Sequence, residues 1–251
     1  IRDRFGIGNN NEYLSVRFGL FAAEDITAAD GTVIPADGLL SEVSLAENMT
    51  AKFDVQIPFG RYYVQEIATD EHYVLNGEKY LVNFEYMGQD IRTADIDCGQ
   101  FVNLLKRGRI EGHKTDDKSE PLENALFGLF RTDCTEFTES NAIMTAISDE
   151  KGYFEFGNIP YGEYVVREIK APTGYILSDE SYPVSISEDG EVIEITAENK
   201  PITVKISKRD IYGNELKGAK MQIIDSEGNI VDEWTCLLYT SDAADDLIGV
   251  D

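Results

Sequence analysis

Three polar residues stand where strand alternation asks for apolar ones: Lys114, Glu168 and Asn199. Successive side chains of a strand point to opposite faces. Across residues 162–168 this groups Tyr164, Val166 and Glu168, and sends Glu163, Val165 and Arg167 the other way. Residues 109–114 sort likewise, with Ile110, Gly112 and Lys114 facing in and Arg109, Glu111 and His113 facing solvent. In 193–199 the inward set is Ile193, Ile195, Ala197 and Asn199, and Glu194, Thr196 and Glu198 point out. A charge taken alone into a core is costly, so an inward amine, carboxyl and amide must either pair or react. An unreacted, hydrogen-bonded triad or an ordinary ion pair is one outcome, and a reaction among the three is the other.

The elements that carry these residues are strands. Segments between turn signals alternate with period two, and nothing reads as a long amphipathic helix. Clusters such as SEDG at 187–190 and SEGN at 226–229 supply tight turns. Short strands with regularly spaced turns predict an all-β chain of tandem immunoglobulin-like β-sandwich modules.

An internal repeat sets the module boundaries. Pro58, Gly60, Glu66 and Tyr73 recur as Pro160, Gly162, Glu168 and Tyr175 at one constant offset, and the FGLF of 18–21 recurs at 127–130. A third copy begins after Asn199, where 206–225 repeats the logic of 112–130. This predicts a first module over 1–106, a complete second module over 107–200 and the start of a third over 201–235. Short connectors are expected near 106–108 and 199–201. In the third module Ile202, Val204, Ile206 and Lys208 are expected on one face, so the inward lysine repeats. Residues 236–251, opening CLLYTSDAADD, read as a translated sequencing adapter joined to a gene fragment, and are set aside. Ile1 is neither an initiator Met nor the start of a signal peptide, so the chain is expected to be cut at its front.

Composition narrows the function classes. The net charge of −25, from 22 Lys and Arg against 47 Asp and Glu, argues against nucleic acid and anionic membrane surfaces as partners. No apolar run is long enough to span a bilayer, so no membrane insertion is expected within this fragment. Cys98, Cys134 and Cys236 form no disulfide framework. His72 and His113 stand alone and no calcium-loop spacing occurs, so no metal and no cofactor are expected. Glu66 and Glu168 fall in different modules and do not make a glycosidase pair. Tyr62, Tyr63 and Tyr164 read as packing residues rather than a sugar platform. No nucleophile, base and open cleft come together, so the chain is not expected to be an enzyme acting on a separate substrate.

At the inward residues the sequence resembles the collagen-adhesin B-type domains, also called SpaA-like or prealbumin-like domains, of Gram-positive surface adhesins and pilins. The resemblance rests on Lys-x-Asp at 114–116 and 208–210, Phe-Gly-Leu-Phe at 127–130, Glu-x-x-Ala-Pro-x-Gly-Tyr at 168–175 and the closing Asn199. It covers about residues 1–235. It implies an autocatalytic isopeptide bond, with Lys114 as nucleophile, Asn199 as acyl partner and Glu168 as proton shuttle. Desolvation favours a neutral amine over an ammonium and a carboxylic acid over a carboxylate, which suits those roles. Module one keeps Glu66 and Asn103 but has Ile1 where the lysine should stand, and module three has Lys208 without its Glu and Asn. The resemblance further implies an extracellular, cell-wall-anchored stalk or backbone repeat whose partners are the neighbouring modules of its own chain. Direct binding of a host matrix protein or glycan is the alternative.

Overall fold

The structure is a computed structural model and describes residues 5, 7, 11–88, 95–203, 206–224 and 226–236. Ile1, where module one would need its lysine, lies outside these residues, as do Val204 and residues 237–251. The described chain is built from strands, with a 3-10 turn at Glu12–Ser15. Among the described residues no helix is long and apolar enough to cross a membrane.

The first module contributes β1 (Arg17–Ala22), β2 (Ile26–Thr27), β3 (Val33–Ile34), β4 (Leu39–Ser44), β5 (Gly60–Ala68), β6 (Tyr73–Val74), β7 (Tyr80–Phe84) and β8 (Leu104–Leu105). The second contributes β9 (Arg107–Asp116), β10 (Leu126–Arg131), β11 (Met144–Ile147), β12 (Tyr153–Pro160), β13 (Gly162–Lys170), β14 (Ser181–Ile186) and β15 (Val192–Asn199). A hairpin of β16 (Lys220–Ile224) and β17 (Ile230–Thr235) follows, and its pairing runs on through Cys236, whose N–H donates to the Ala219 carbonyl.

Module two is a sandwich. One sheet has the order β11-β10-β13-β14 and the other β12-β9-β15. The core between them holds Ile110, Phe127, Leu129, Phe154, Phe156, Tyr164, Val166 and Ile186. The inner positions are the ones that alternation assigned: β9 and β13 bury every second residue, through Lys114 and Glu168 respectively. In β15 only Ala197 and Asn199 are fully buried, because the strand dips into the core at its C-terminal end.

The repeat is exact in register. Phe18 pairs with Glu66 on β1 and β5, and Phe127 with Glu168 on β10 and β13, each just after a bulge. The tyrosine hydroxyls repeat too, Tyr62 donating to the Pro58 carbonyl and Tyr164 to that of Pro160. Burial pushes the Tyr164 phenol up to about 12. Tyr63, on the outward face, is nevertheless buried, because Phe21 stacks on it and the Lys79 ammonium sits over the ring.

The expectation for module three is corrected: Lys208 is exposed and belongs to no strand, and Ile202 and Ile206 are each 44% exposed. Among the described residues the third unit offers only one hairpin, and a single two-stranded ribbon gives no second layer against which a lysine could be buried. The three cysteines are free thiols.

Gly112 sits on the inward face of β9, where a Cβ would overlap the Phe154 ring. That ring is stacked on Phe127 with 3.9 Å between centroids, so it has little room to retreat. Gly112→Ala is expected to lower stability by about 1–3 kcal/mol through overpacking, read as a lower urea midpoint with an unchanged m-value.

Candidate crosslink site

The first and last strands of module two lie side by side and parallel, the one parallel pairing in a sandwich otherwise joined antiparallel among the described residues. In this register Ala197 is opposite Lys114 and Asn199 opposite Asp116. Asn199 therefore lies two residues along from Lys114 on the same inward face, a diagonal neighbour that a lysine side chain can span. Glu168 faces them from β13 in the opposite sheet. All three are buried, Lys114 at 0%, Asn199 at 2% and Glu168 at 3% exposure.

The Lys114 amine donates to two backbone carbonyls, those of Thr115 at 2.8 Å and Ala197 at 3.2 Å. It makes no ion pair with Glu168. Two acceptors suit a neutral amine, whose two N–H groups are then used and whose lone pair stays free. An ammonium in the same place would leave one N–H without a partner. Burial pushes the amine below the usual lysine value, against the opposing pull of the Glu168, Glu198 and Asp116 charges.

The Asn199 amide donates through Nδ2 to Glu168 Oε2 at 3.0 Å and to the Ile176 carbonyl at 2.7 Å. Glu168 Oε2 also accepts the Ser178 backbone N–H at 2.9 Å. Glu168 Oε1 and Asn199 Oδ1 are buried with no hydrogen-bond partner. The site thus holds two buried acceptor atoms without a donor, on side chains that share the core with the Lys114 amine. The three side chains are separate, each with its own hydrogen bonds, and an amine, an amide and a carboxyl thus share one buried site.

The other predicted positions assemble only in part. In module one Glu66 is buried and both its oxygens accept from Asn103 Nδ2, at 2.8 and 2.9 Å, with Thr69 Oγ1 as a further acceptor at 2.7 Å. The Asn76 N–H donates to Glu66 just as that of Ser178 does to Glu168. Lys208 joins no such group. His72 does not stand alone: it pairs with Asp70 and its ring meets Tyr161 of module two edge-on at 4.8 Å. His113 is exposed and lies edge-on to Tyr153.

Sequence reasoning missed the backbone members of the site. The carbonyls of Thr115, Ala197 and Ile176 and the amide of Ser178 carry no side-chain signature, although the Ala-Pro-x-Gly-Tyr run at 171–175 marks the loop that supplies two of them. The Asp of Lys-x-Asp has a different task. Asp116 Oδ1 accepts the N–H groups of Lys118 and Glu120 and closes the turn after β9, and Asp210 does the same for Tyr212 and Asn214.

Residues 108–201 match the SpaA family, described as a prealbumin-like fold domain. The chain is 30% identical over 134 residues to the Trypsin-resistant surface T6 protein of Streptococcus pyogenes serotype M6, covering 50% of this chain and 24% of that protein. It is 24% identical over 173 residues to a Collagen adhesin of Staphylococcus aureus, covering 61% of this chain and 14% of the adhesin. Against the structure of the Bacillus anthracis TIE protein the TM-score is 0.60 at 23% identity, covering 91% of this chain and 40% of that one, a likeness of fold. The chain spans about a quarter or less of the length of both curated relatives.

The sign of the Lys114 shift sets a pH test. Because the folded-state pKa lies below the value of 10.5 for an exposed lysine, unfolding takes up a proton between the two values. The buried amine therefore costs stability in full below its folded pKa, and the cost disappears as pH rises toward 10.5. In an Asn199→Ala chain, where Lys114 keeps its free amine, stability is expected to rise with pH across this window. Adding Lys114→Met should remove that part of the slope, as measured by urea denaturation of both chains at matched pH values.

Proposed function

We propose that this chain is a load-bearing stalk or backbone segment of a Gram-positive cell-surface adhesin or pilin, and that its second module is closed by an intramolecular isopeptide bond between Lys114 and Asn199. The observation that carries this is the convergence of a buried amine on the first strand and a buried amide on the last with a buried carboxyl from the facing sheet. In the reaction the Lys114 lone pair attacks Asn199 Cγ, a new Nζ–Cγ bond forms and the Cγ–Nδ2 bond breaks. Nδ2 leaves as ammonia, taking up a proton that the amine gives up, with Glu168 relaying it. Atoms balance without a cofactor, and the process is self-modification with no turnover on a separate substrate.

The strand geometry supports a mechanical role for such a bond. Tension applied to the module enters at the start of β9 and leaves at the end of β15. Since the two strands are parallel, pulling their far ends apart shears their whole ladder. A covalent link near the C-terminal ends of both would carry the force from Lys114 straight to Asn199, leaving the residues between them outside the path of tension. By the loop-entropy model for crosslinks, closing about 85 residues is worth about 4–5 kcal/mol. Such a link supplies the durability that the three free thiols do not.

An extracellular location and partners among neighbouring modules are supported by the surface and adhesin relatives. The Collagen adhesin likeness also favours a second reading, in which the modules bind a host matrix protein or glycan themselves. Binding of the purified chain to matrix-protein or glycan arrays would support it, and silence would favour the stalk.

Intact-mass measurement of the full chain is expected to show loss of one ammonia relative to the sequence mass. Lys114→Ala, Asn199→Ala and Glu168→Ala should each retain it. The Lys114→Ala chain should also lose about 4–5 kcal/mol of stability and yield to trypsin within module two. A parent with its full sequence mass would remove the bond from the proposal.

A further inference from the structure

The loop that follows β13 holds the crosslink site from one side and the connector to the next module from the other. Its Ile176 carbonyl accepts Asn199 Nδ2, and its Ser178 N–H donates to Glu168. On its opposite edge the Ile176 N–H donates to the Lys200 carbonyl at 2.9 Å, Tyr175 bridges Pro201, and the Ile202 N–H donates to the Gly174 carbonyl at 2.8 Å. Lys200, Pro201 and Ile202 lie beyond β15 and lead into the third module.

The same ladder occurs at the preceding junction. Tyr73 pairs with Leu105, Val74 with Leu104, and the Lys106 N–H donates to the His72 carbonyl at 2.9 Å. The loop of module one then reaches Glu66 through the Asn76 N–H. Two junctions with different sequences, Leu-Leu-Lys at 104–106 and Lys-Pro-Ile at 200–202, build the same contacts. This marks the ladder as part of the repeat's design.

We infer that the backbone of connector residues 200–202 is part of the reaction machinery of module two, with the N–H of residue 202 as the positioning group and its side chain outside that machinery. By pairing with Gly174–Ile176 they hold the loop whose carbonyl and amide fix the Asn199 amide and the Glu168 carboxyl for attack by Lys114. The site is then complete only once the chain has continued past Asn199 into the next module. Crosslinking of one module is thereby tied to the docking of the connector that follows it. This rests on the isopeptide reading above and adds to it a requirement for backbone groups outside the strands that bear the reacting residues.

The test follows the full chain during cell-free synthesis, sampling the fraction that has lost one ammonia against time by intact mass. Ile202→Pro removes the N–H that donates to Gly174, and Ile202→Ala keeps it. Pro201→Gly leaves every donor in place and loosens the connector. Ile202→Pro is expected to slow ammonia loss about tenfold, the worth of one positioning hydrogen bond, with Ile202→Ala at the parent's rate and Pro201→Gly between them. Urea midpoints in a Lys114→Ala background, where no bond forms, are expected to change little for Pro201→Gly, separating positioning from folding. A parent that reacts while Ile202→Pro and Pro201→Gly keep its rate overturns the inference and leaves the bond standing. A parent that never loses ammonia removes the reaction and this inference with it.

Discussion

The structure of module two depends on keeping water from one amine. Lys114 lies fully buried between two sheets, with only two carbonyls to receive its protons. A charged ammonium there would be costly, because the side chain is fully buried. Burial therefore disfavours the charged form of this lysine. Burial of this kind is ordinarily a defect in a core. Here the register of β9 against β15 sets Asn199 on the same face two residues along.

The parallel contact of the terminal strands governs both chemistry and mechanics. In an antiparallel sandwich, first and last strands need not touch, and a module pulled at its ends would open strand by strand. Pairing them places the two chain ends at opposite ends of one ladder, so tension is met in shear. The same pairing brings the nucleophile and the amide within reach of each other, and the carboxyl arrives from the facing sheet. One topological choice thus accounts for the position of all three residues.

Module one shows the same framework around a second buried glutamate. Glu66 and Asn103 still meet, and Asn76 still donates to the carboxylate. Both oxygens of Glu66 have partners, whereas Glu168 Oε1 and Asn199 Oδ1 have none. Among the described residues the unsatisfied buried acceptors therefore belong to the second module. The modules are also stitched to one another, with His72 and its loop lying against Tyr161 and Lys106 at the junction.

The sequence by itself determined the strand class, the repeat and the faces on which Lys114, Glu168 and Asn199 lie, because the two-residue period of a strand is local and leaves its mark on every inward position. It also determined that Glu66 and Glu168 are equivalent, since a constant offset along the chain survives into identical register with Phe18 and Phe127. Only the tertiary structure decided that the first and last strands are neighbours and parallel, that Tyr63 is covered on its outward face, and that Lys208 is left in solvent. Those outcomes turn on which element packs against which, and alternation is blind to that. The backbone groups of Thr115, Ile176, Ser178 and Ala197 were illegible for a further reason: every residue offers the same carbonyl and amide, and only folding decides which of them point at the site.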